Sequence, residues 1–474
     1  MTLKKPLVLD VDGTFLKTDM LFECFWAALG KHPLATLATS FKHITNPAVL
    51  KRELVDLADM RIDLLPVNAE LLQYVETQKA VGRDIILASA SDETLVKNLA
   101  ETHGLSADIL ASDGKTNMKG AKKAAGLVAR YGHQGFDYAG NETVDIPIWE
   151  VSEDVLIVGQ HPAIRKDMAG QGKTVTEFGG DWAWRDLGRA LRPHQYVKNV
   201  LLLLPMLAAH DFSLDTLLVV VLGMVAFSAA ASSIYTVNDL LDLEADRLHA
   251  TKHKRPYASG AVPIRVGMIA GGALGVIALA IGAYLGLWFF LVVALYMVLS
   301  LAYSLRLKRL RWIDIAMLAT LYTLRVVAGA AAGSLDVSIF MLVFIFPVFI
   351  TLGCVKRMTE LTLATGNDKL PGRGYGRADR GDLLNVAWIG TVGALAIFFA
   401  YTMTEQAQLL YPTRWILWVA MIPIAMWLVR MLRLGYFGKQ DYDPIVFALR
   451  DKRGIGLLLL TLSLMLFAAG QWTV

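Results

Sequence analysis

Apolar positions change their pattern along the chain near residue 180. Before it they come in short runs broken by charges. Pro6 to Val11, Asp84 to Ala88, the segment leading to Gly140, and Val155 to Val158 read as buried strands that end in polar residues. Between them, LFECFWAALG, LKRELVDLADM and AELLQYVETQ carry helical spacing over about residues 15–80, and HPAIRKDMAGQGKTVTEF supplies a closing helix and strand. From Val197 onward the runs become long and uncharged. About nine apolar segments follow, several near the ~20 residues that a spanning helix needs. Their centres are Leu203, Val225, Gly275, Val293, Thr320, Ile345, Leu395, Ile422 and Leu464. The pattern predicts an α/β domain over 1–180 with a small helical cap at about 15–80, a linker over 181–192, and an all-α polytopic membrane domain over 193–474. The linker's Trp182 and Trp184 suit either the lipid–water boundary or packing between domains.

Composition agrees with a membrane protein and adds orientation. The 474 residues are 55% hydrophobic with a net charge of only +4, which gives no reason to expect a nucleic-acid partner. Lys and Arg gather in alternate loops, around Arg247–Arg265, Arg306–Arg311, Lys356–Arg380 and Arg430–Arg453, whereas the loops between carry only Arg414. By the positive-inside rule the basic loops and the N-terminal domain are cytosolic, and an odd number of spans puts the C-terminus on the opposite side. MTLKKPLVLDVDGT has acids inside its apolar stretch and does not read as a signal peptide. Cys24 and Cys354 offer neither a disulfide framework nor metal-ligand spacing.

In the first domain, Asp10-Val11-Asp12-Gly13-Thr14 closes the first strand. Two carboxylates at i and i+2 can serve as nucleophile and as acid/base. The second strand delivers Ser89, Lys119 opens a helix in NMKGAKKAAGL, and a third segment ends in Gly140-Asn141-Glu142-Thr143-Val144-Asp145. This order resembles the haloacid-dehalogenase-like (HAD) phosphatase superfamily, with its Rossmannoid fold. The resemblance implies Asp10 as nucleophile, Asp12 as acid/base, and Ser89 and Lys119 as charge stabilisers. Mg²⁺ would be held by Asp10, Asp12, Asn141 and Asp145. Asn141 stands where the family usually has an acid, so this ligand brings a carbonyl oxygen and no charge.

In the membrane domain, VNDLLDLEADRLH continues the second span. As a helix it brings Asp239, Asp242 and Asp246 within about 60° on one face, with Asn238 a turn before Asp242. Three acids on one face near a bilayer call for a cation. Mg²⁺ on a diphosphate answers that need, with Lys254 and Arg255 of TKHKRPYASG on phosphate oxygens. NDxxDxxxD followed by KRP resembles the UbiA superfamily of intramembrane prenyltransferases, as does the stretch from Tyr303 to Lys308. Aromatic prenyltransferases of that superfamily carry a second acidic run in their third cytosolic loop, where this chain has Lys356-Arg357-Met358-Thr359-Glu360. With LRPHQYVKN (Arg192, Lys198) and LRVVAG (Arg325), this resembles the decaprenyl-phosphate phosphoribosyltransferase branch.

The resemblance implies transfer of 5-phosphoribose from 5-phosphoribosyl 1-diphosphate to a polyprenyl phosphate at a bacterial-type inner membrane. Asp239, Asp242 and Asp246 would hold Mg²⁺ on the leaving diphosphate and Asn238 would orient it. Arg192, Lys198, Lys254, Arg255, Tyr303, Lys308, Arg325, Lys356, Arg357 and Glu360 form the substrate-binding set. The fused phosphatase could then remove the 5-phosphate. The alternative is transfer of an isoprenoid from its diphosphate to an aromatic or other small acceptor. A membrane-anchored phosphatase would leave the acidic face unexplained, and a transporter does not fit motifs that all gather on one side with no acid deep in a later span. The polyprenyl lipid, the phosphorylated sugar donor and membrane lipids are the expected partners, and a homo-oligomer stays open.

Overall fold

The short apolar runs of the N-terminal part pair into one parallel six-stranded sheet. Its strands are β1 (Leu7–Leu9), β2 (Ile85–Asp92), β3 (Ile109–Ser112), β4 (Asp137–Gly140), β5 (Val155–Val158) and β6 (Val175–Phe178), ordered β3-β2-β1-β4-β5-β6. The structure is a computed structural model that describes residues 5–180, 182–336, 338–364, 370, 373–440 and 443–470. Leu7 of β1 pairs with Ile85 on one side and Asp137 on the other. β1 and β5 are buried throughout, which is why they read as unbroken apolar runs rather than alternating ones, while β4 is also buried but opens on Asp137, which pairs with Arg83.

Successive strand residues feed two different cores. Leu7, Leu9 and Leu87 pack with Leu71 and Val75 of α4 (Ala69–Ala80) and with Leu95 and Leu99 of α5 (Glu93–Thr102). Val8, Ile86 and Tyr138 pack on the opposite face with Leu127 of α6 (Ala121–Tyr131) and Trp149. Three helices, α1 (Met20–Lys31), α2 (Pro33–Lys42) and α3 (Pro47–Ala58), fill the cap region. The Asp19 and Asn46 side chains accept backbone N–H groups at the starts of α1 and α3. Strand order reverses between β1 and β4, and that switch point is where a doubly wound sheet opens a crevice at its C-terminal edge.

Among the described residues, seven helices are long and apolar enough to cross a membrane. They are Leu214–Leu241, Ile264–Leu285, Leu287–Leu305, Ile313–Gly333, Ile339–Leu363, Arg377–Thr402 and Trp415–Tyr436. The sequence led us to expect about nine, and the two differences have physical causes. The segment centred on Leu203 is a 3₁₀ helix, Pro193–Leu203, followed by the short helix Leu204–Ala208. It lies so close to the helix Ile313–Gly333 that a Cβ on Gly329 would stand 1.9 Å from the Leu202 carbonyl oxygen. Its apolar side chains therefore serve protein packing. The segment centred on Leu464 is the helix Lys452–Ala468, whose 17 residues reach only about 25 Å at 1.5 Å per residue.

The chain divides into two compact units, Met1–Leu191 with Tyr235–Gly271, and Arg192–Ile234 with Gly272–Val474. The acidic run thus falls in the same unit as the parallel sheet. In that unit Trp26 of α1, Leu187, Leu240, Leu243 and Tyr257 form one core, with Trp182 packed against it. Trp184 is exposed.

Candidate active sites

Asp10 and Asp12 follow β1 at the switch point, and each is held by its own set of donors. Lys123 Nζ lies 2.6 Å from Asp10 Oδ1, and Thr14 Oγ1 is 3.2 Å from Asp10 Oδ2. Asp12 accepts the Met20 N–H at 2.8 Å, the Ser91 hydroxyl at 2.6 Å and the Ser89 hydroxyl at 3.3 Å. Gly13, at φ +75°, makes this turn possible, since a Cβ there would strike the Asn141 amide at 2.4 Å. From β4, Asn141 Oδ1 lies 3.1 Å from the Thr14 hydroxyl. Asp145 accepts the N–H groups of Asn141 and Glu142 and the Tyr138 hydroxyl.

The electrostatics of this crevice separate its carboxylates. Burial and then the Asp10 charge push the Asp12 carboxyl up, and the same two causes raise Asp145 to about 6. Burial alone would lower Lys123, but Asp10 and Asp145 outweigh it and raise its ammonium. Asp10 thus has a charged lysine on one oxygen, while Asp12, neutralised more readily, is suited to carry a proton. Of the residues expected here, Asp10, Asp12, Ser89, Asn141 and Asp145 come together. Lys119 is exposed. The lysine at Asp10 is Lys123, one helical turn later, and Ser91 joins Ser89.

The acidic run is interrupted where a continuous helix was expected. The helix Leu214–Leu241 stops, Asp242 takes a cap conformation, and a short helix Leu243–Leu248 resumes. Asp239 and Asp246 are buried, whereas Asn238 and Asp242 are half-buried. Arg255 Nη1 bridges Asp239 Oδ1 at 3.1 Å and Asp246 Oδ2 at 2.6 Å. Burial still pushes the Asp246 carboxyl up against the pull of Arg255. Lys252 pulls in the same direction as Arg255, more weakly. Lys254 is exposed beside Arg255. Among the described residues no group of three or more His, Cys, Asp or Glu side chains is gathered closely enough to hold a metal ion.

The residue after Asp246 ties the run to the cap. Arg247 places Nη2 2.5 Å from Glu23 Oε1 and Nη1 3.1 Å from Glu23 Oε2, and Thr18 donates to the same carboxylate at 2.7 Å. Both charged side chains are buried, at 7% and 2% exposure. Breaking such a pair leaves a buried charge uncompensated. Glu23→Gln should cost about 3 kcal/mol or more of stability, and the apolar double change Glu23→Leu/Arg247→Met should recover most of it. Thermal unfolding of the three proteins checks this, and equal melting of Glu23→Gln and the parent would remove the pair from the account.

In the second unit the predicted cations fall into separate settings. Arg192 sits at φ +55° just before the Pro193–Leu203 segment, and Lys308 is buried. Lys198 Nζ lies 2.5 Å from Asp443 Oδ2, and Lys356 Nζ is 4.0 Å from the same oxygen. Burial alone would raise the Asp443 carboxyl, but Lys198 and Lys356 hold it down at about 2. Arg325 is buried and donates to Asn199 Oδ1 at 3.1 Å, to the Leu321 carbonyl at 2.6 Å and to the Tyr296 hydroxyl at 3.0 Å. Arg357 is fully buried between Asp314 and Glu360 and also donates to Tyr303 at 3.1 Å. Lys356, Arg357 and Glu360, which the sequence suggested for a loop, lie within the helix Ile339–Leu363. The sequence did not flag Lys123, Ser91, Glu23, Asp314 or Asp443. Only Asp314 left a signal, as an acid at the start of an apolar span.

Residues 200–362 match the model of the UbiA prenyltransferase family. The decaprenyl-phosphate phosphoribosyltransferase of Mycobacterium tuberculosis is 34% identical over 282 residues, 56% of this chain and 87% of that protein. The chain belongs to the UbiA prenyltransferase family. The uncharacterized protein y4nM of Sinorhizobium fredii is 32% identical over 460 residues, 95% of this chain and 88% of that one, so its likeness includes the parallel sheet. A UbiA homologue from Archaeoglobus fulgidus, solved with GPP and Mg²⁺, superposes with a TM-score of 0.44 at 17% identity, covering 60% of this chain and 99% of that one. The UbiA match includes the acidic run, Tyr303, Lys308, Arg325, Lys356 and Glu360, and it begins after the sheet ends. The protein is accordingly a membrane-embedded transferase of the UbiA family.

Proposed function

We propose that the UbiA part transfers 5-phosphoribose from 5-phosphoribosyl 1-diphosphate to a polyprenyl phosphate, and that the sheet domain is a HAD-like phosphatase that removes the 5-phosphate from the product. The observation that carries the donor is the convergence of two lysines, the buried Lys198 and the half-buried Lys356, on Asp443. Lysines gathered here suit the phosphates of a phosphorylated sugar better than a second metal-binding acid cluster would. The 34% identity to the mycobacterial phosphoribosyltransferase supports the same reading.

The donor set around Asp239, Asp242 and Asp246 and that around Asp10, Asp12, Asn141 and Asp145 consist of hard oxygens, the ligands Mg²⁺ takes. As they stand the acids are not gathered closely enough to hold it; drawn together around bound substrate they would hold it, and it would then offset charge on the departing diphosphate or the transferred phosphoryl group. In the transfer, an oxygen of the lipid phosphate bonds to C1 of the ribose, the C1–O bond to the diphosphate breaks, and the diphosphate leaves with that electron pair. The attacking phosphate is already anionic, so no dedicated base is required. Asn238 orients the leaving group, and Lys198 and Lys356 bind phosphate.

In the phosphatase step, Asp10 attacks phosphorus and Asp12 gives its proton to the departing ribose oxygen. Lys123 neutralises the phosphoryl oxygens, and Ser89 with Ser91 positions Asp12. The resulting acyl phosphate on Asp10 is then hydrolysed by water that loses a proton to Asp12. The clustering of Lys and Arg in alternate loops supports a cytosolic position for both reactions.

Incubating the purified protein with labelled 5-phosphoribosyl 1-diphosphate and a polyprenyl phosphate is expected to give a labelled lipid and free diphosphate. Labelling of lipid only from an isoprenoid diphosphate and an aromatic acceptor would overturn the assignment.

A further inference from the structure

α2 carries an uncovered apolar row. Leu34 is 83% exposed, Leu37 53%, Phe41 85%, and Ile44, just past the helix end, 72%. Thr36 is the buried residue of this helix. At ~100° per residue Leu34, Leu37 and Phe41 lie within about 60° of one another, so they form one face. A contiguous face of large apolar side chains on a charged domain marks an interaction surface.

What covers it follows from where α2 is held. The preceding helix, α1, packs against the end of the membrane helix Leu214–Leu241: Trp26, Phe25 and Leu29 share a core with Leu240 and Leu241. A Cβ on Gly30 would lie 3.8 Å from the Leu241 carbonyl oxygen. α2 begins at Pro33, immediately beyond that contact. The exposed row is therefore tethered beside the point at which a membrane helix ends. Its charge matches an anionic surface as well. From Cys24 to Arg52 the chain has no Asp or Glu; Lys31 pairs with Asp59, Arg52 with Asp92 and Glu93, and Lys51 donates to the Ala90 carbonyl, while the exposed Lys42 stands on α2 at the edge of the row. A helix of 10 residues, about 15 Å long, cannot span a bilayer but can lie in its interface.

We propose that α2 is an interfacial anchor, with Leu34, Leu37, Phe41 and Ile44 inserted among the lipids and Lys42 at the row's edge facing anionic headgroups. A second copy of this chain is a poorer occupant, because the row lies next to the end of a membrane helix and a symmetric contact would set Lys42 of one copy near Lys42 of the other. The anchor would hold the cap, and the crevice of Asp10 beneath it, at the membrane surface, where a lipid-borne phosphate is presented.

The test uses the full chain in nanodiscs of phosphatidylglycerol and phosphatidylethanolamine. Nitroxide labels are placed at Leu34→Cys and Phe41→Cys, with Glu101→Cys on the exposed side of α5 as a water-facing reference. Cys24 and Cys354 are both buried and stay out of reach of the label. We expect the ratio of relaxation by oxygen to relaxation by a water-soluble nickel chelate to be several-fold higher at positions 34 and 41 than at 101, and to fall when phosphatidylglycerol is omitted. A water-like ratio at both positions overturns the proposal. Shielding from both relaxants overturns it too, in favour of a protein surface such as a second copy.

Discussion

Asp242→Ala is expected to abolish diphosphate release from 5-phosphoribosyl 1-diphosphate while leaving the protein folded. Asp239 and Asp246 are buried on Arg255, so removing either would strand a guanidinium and mix a structural loss with a chemical one. Asp242 is half-buried at the break between two helices. Its backbone N–H donates to the Asn238 carbonyl at 3.1 Å and its own carbonyl accepts from Asp246 at 2.8 Å, and alanine keeps both bonds. The stability change should stay near ~1 kcal/mol. The carboxylate is a different matter, because it is one of three that would carry the cation of the leaving group. Loss of such transition-state charge stabilisation corresponds to about 10³-fold in rate, ~4 kcal/mol. The measurement is labelled diphosphate released with both substrates present, beside a melting curve. Near-normal turnover would sink the role given to the acidic run.

The fold was legible where burial was one-sided or complete and illegible where packing decided. β1 and β5 are buried throughout and left unbroken apolar runs bounded by polar turn residues. The helices after Val197 left runs of membrane length. Hydropathy does not distinguish a side chain facing lipid from one facing protein, however, and around Leu203 the side chain of Leu202 is buried while Leu201 and Leu204 pack against the core of Leu318, Tyr322 and Val326.

The candidate sites divide in the same way. Asp10, Asp12 and Asp239 to Asp246 sit in local motifs and could be read directly. Lys123 could not, because NMKGAKKAAGL offers several lysines and only the helix start selects among them. Gly120, at φ +57°, begins the helix at Ala121, which leaves Lys119 ahead of it and brings Lys123 to Asp10. Asp443 reaches Lys198 from the far end of the chain and belongs to no motif. Arg357 read as a phosphate ligand, yet the structure encloses it with Asp314 and Glu360. Cations of one charge class thus divide into structural and available ones by partners the sequence does not place.

Asp10→Asn separates the two proposed activities. The change is isosteric and removes the nucleophilic oxygen's charge, so phosphate release should fall by about 10⁴-fold or more, as for loss of a nucleophile elsewhere. The fold should survive, because Lys123 keeps Tyr138 at 3.0 Å and Asp145 at 4.0 Å. The UbiA reaction uses none of these groups, so labelled lipid should still form. In cells the lipid-linked pentose should then accumulate with its 5-phosphate attached, which mass spectrometry of the lipid fraction measures. If phosphate release stops in the purified variant but the cellular lipid is unchanged, the sheet domain acts on another phosphate ester. If release continues in the purified variant, Asp10 is not the nucleophile.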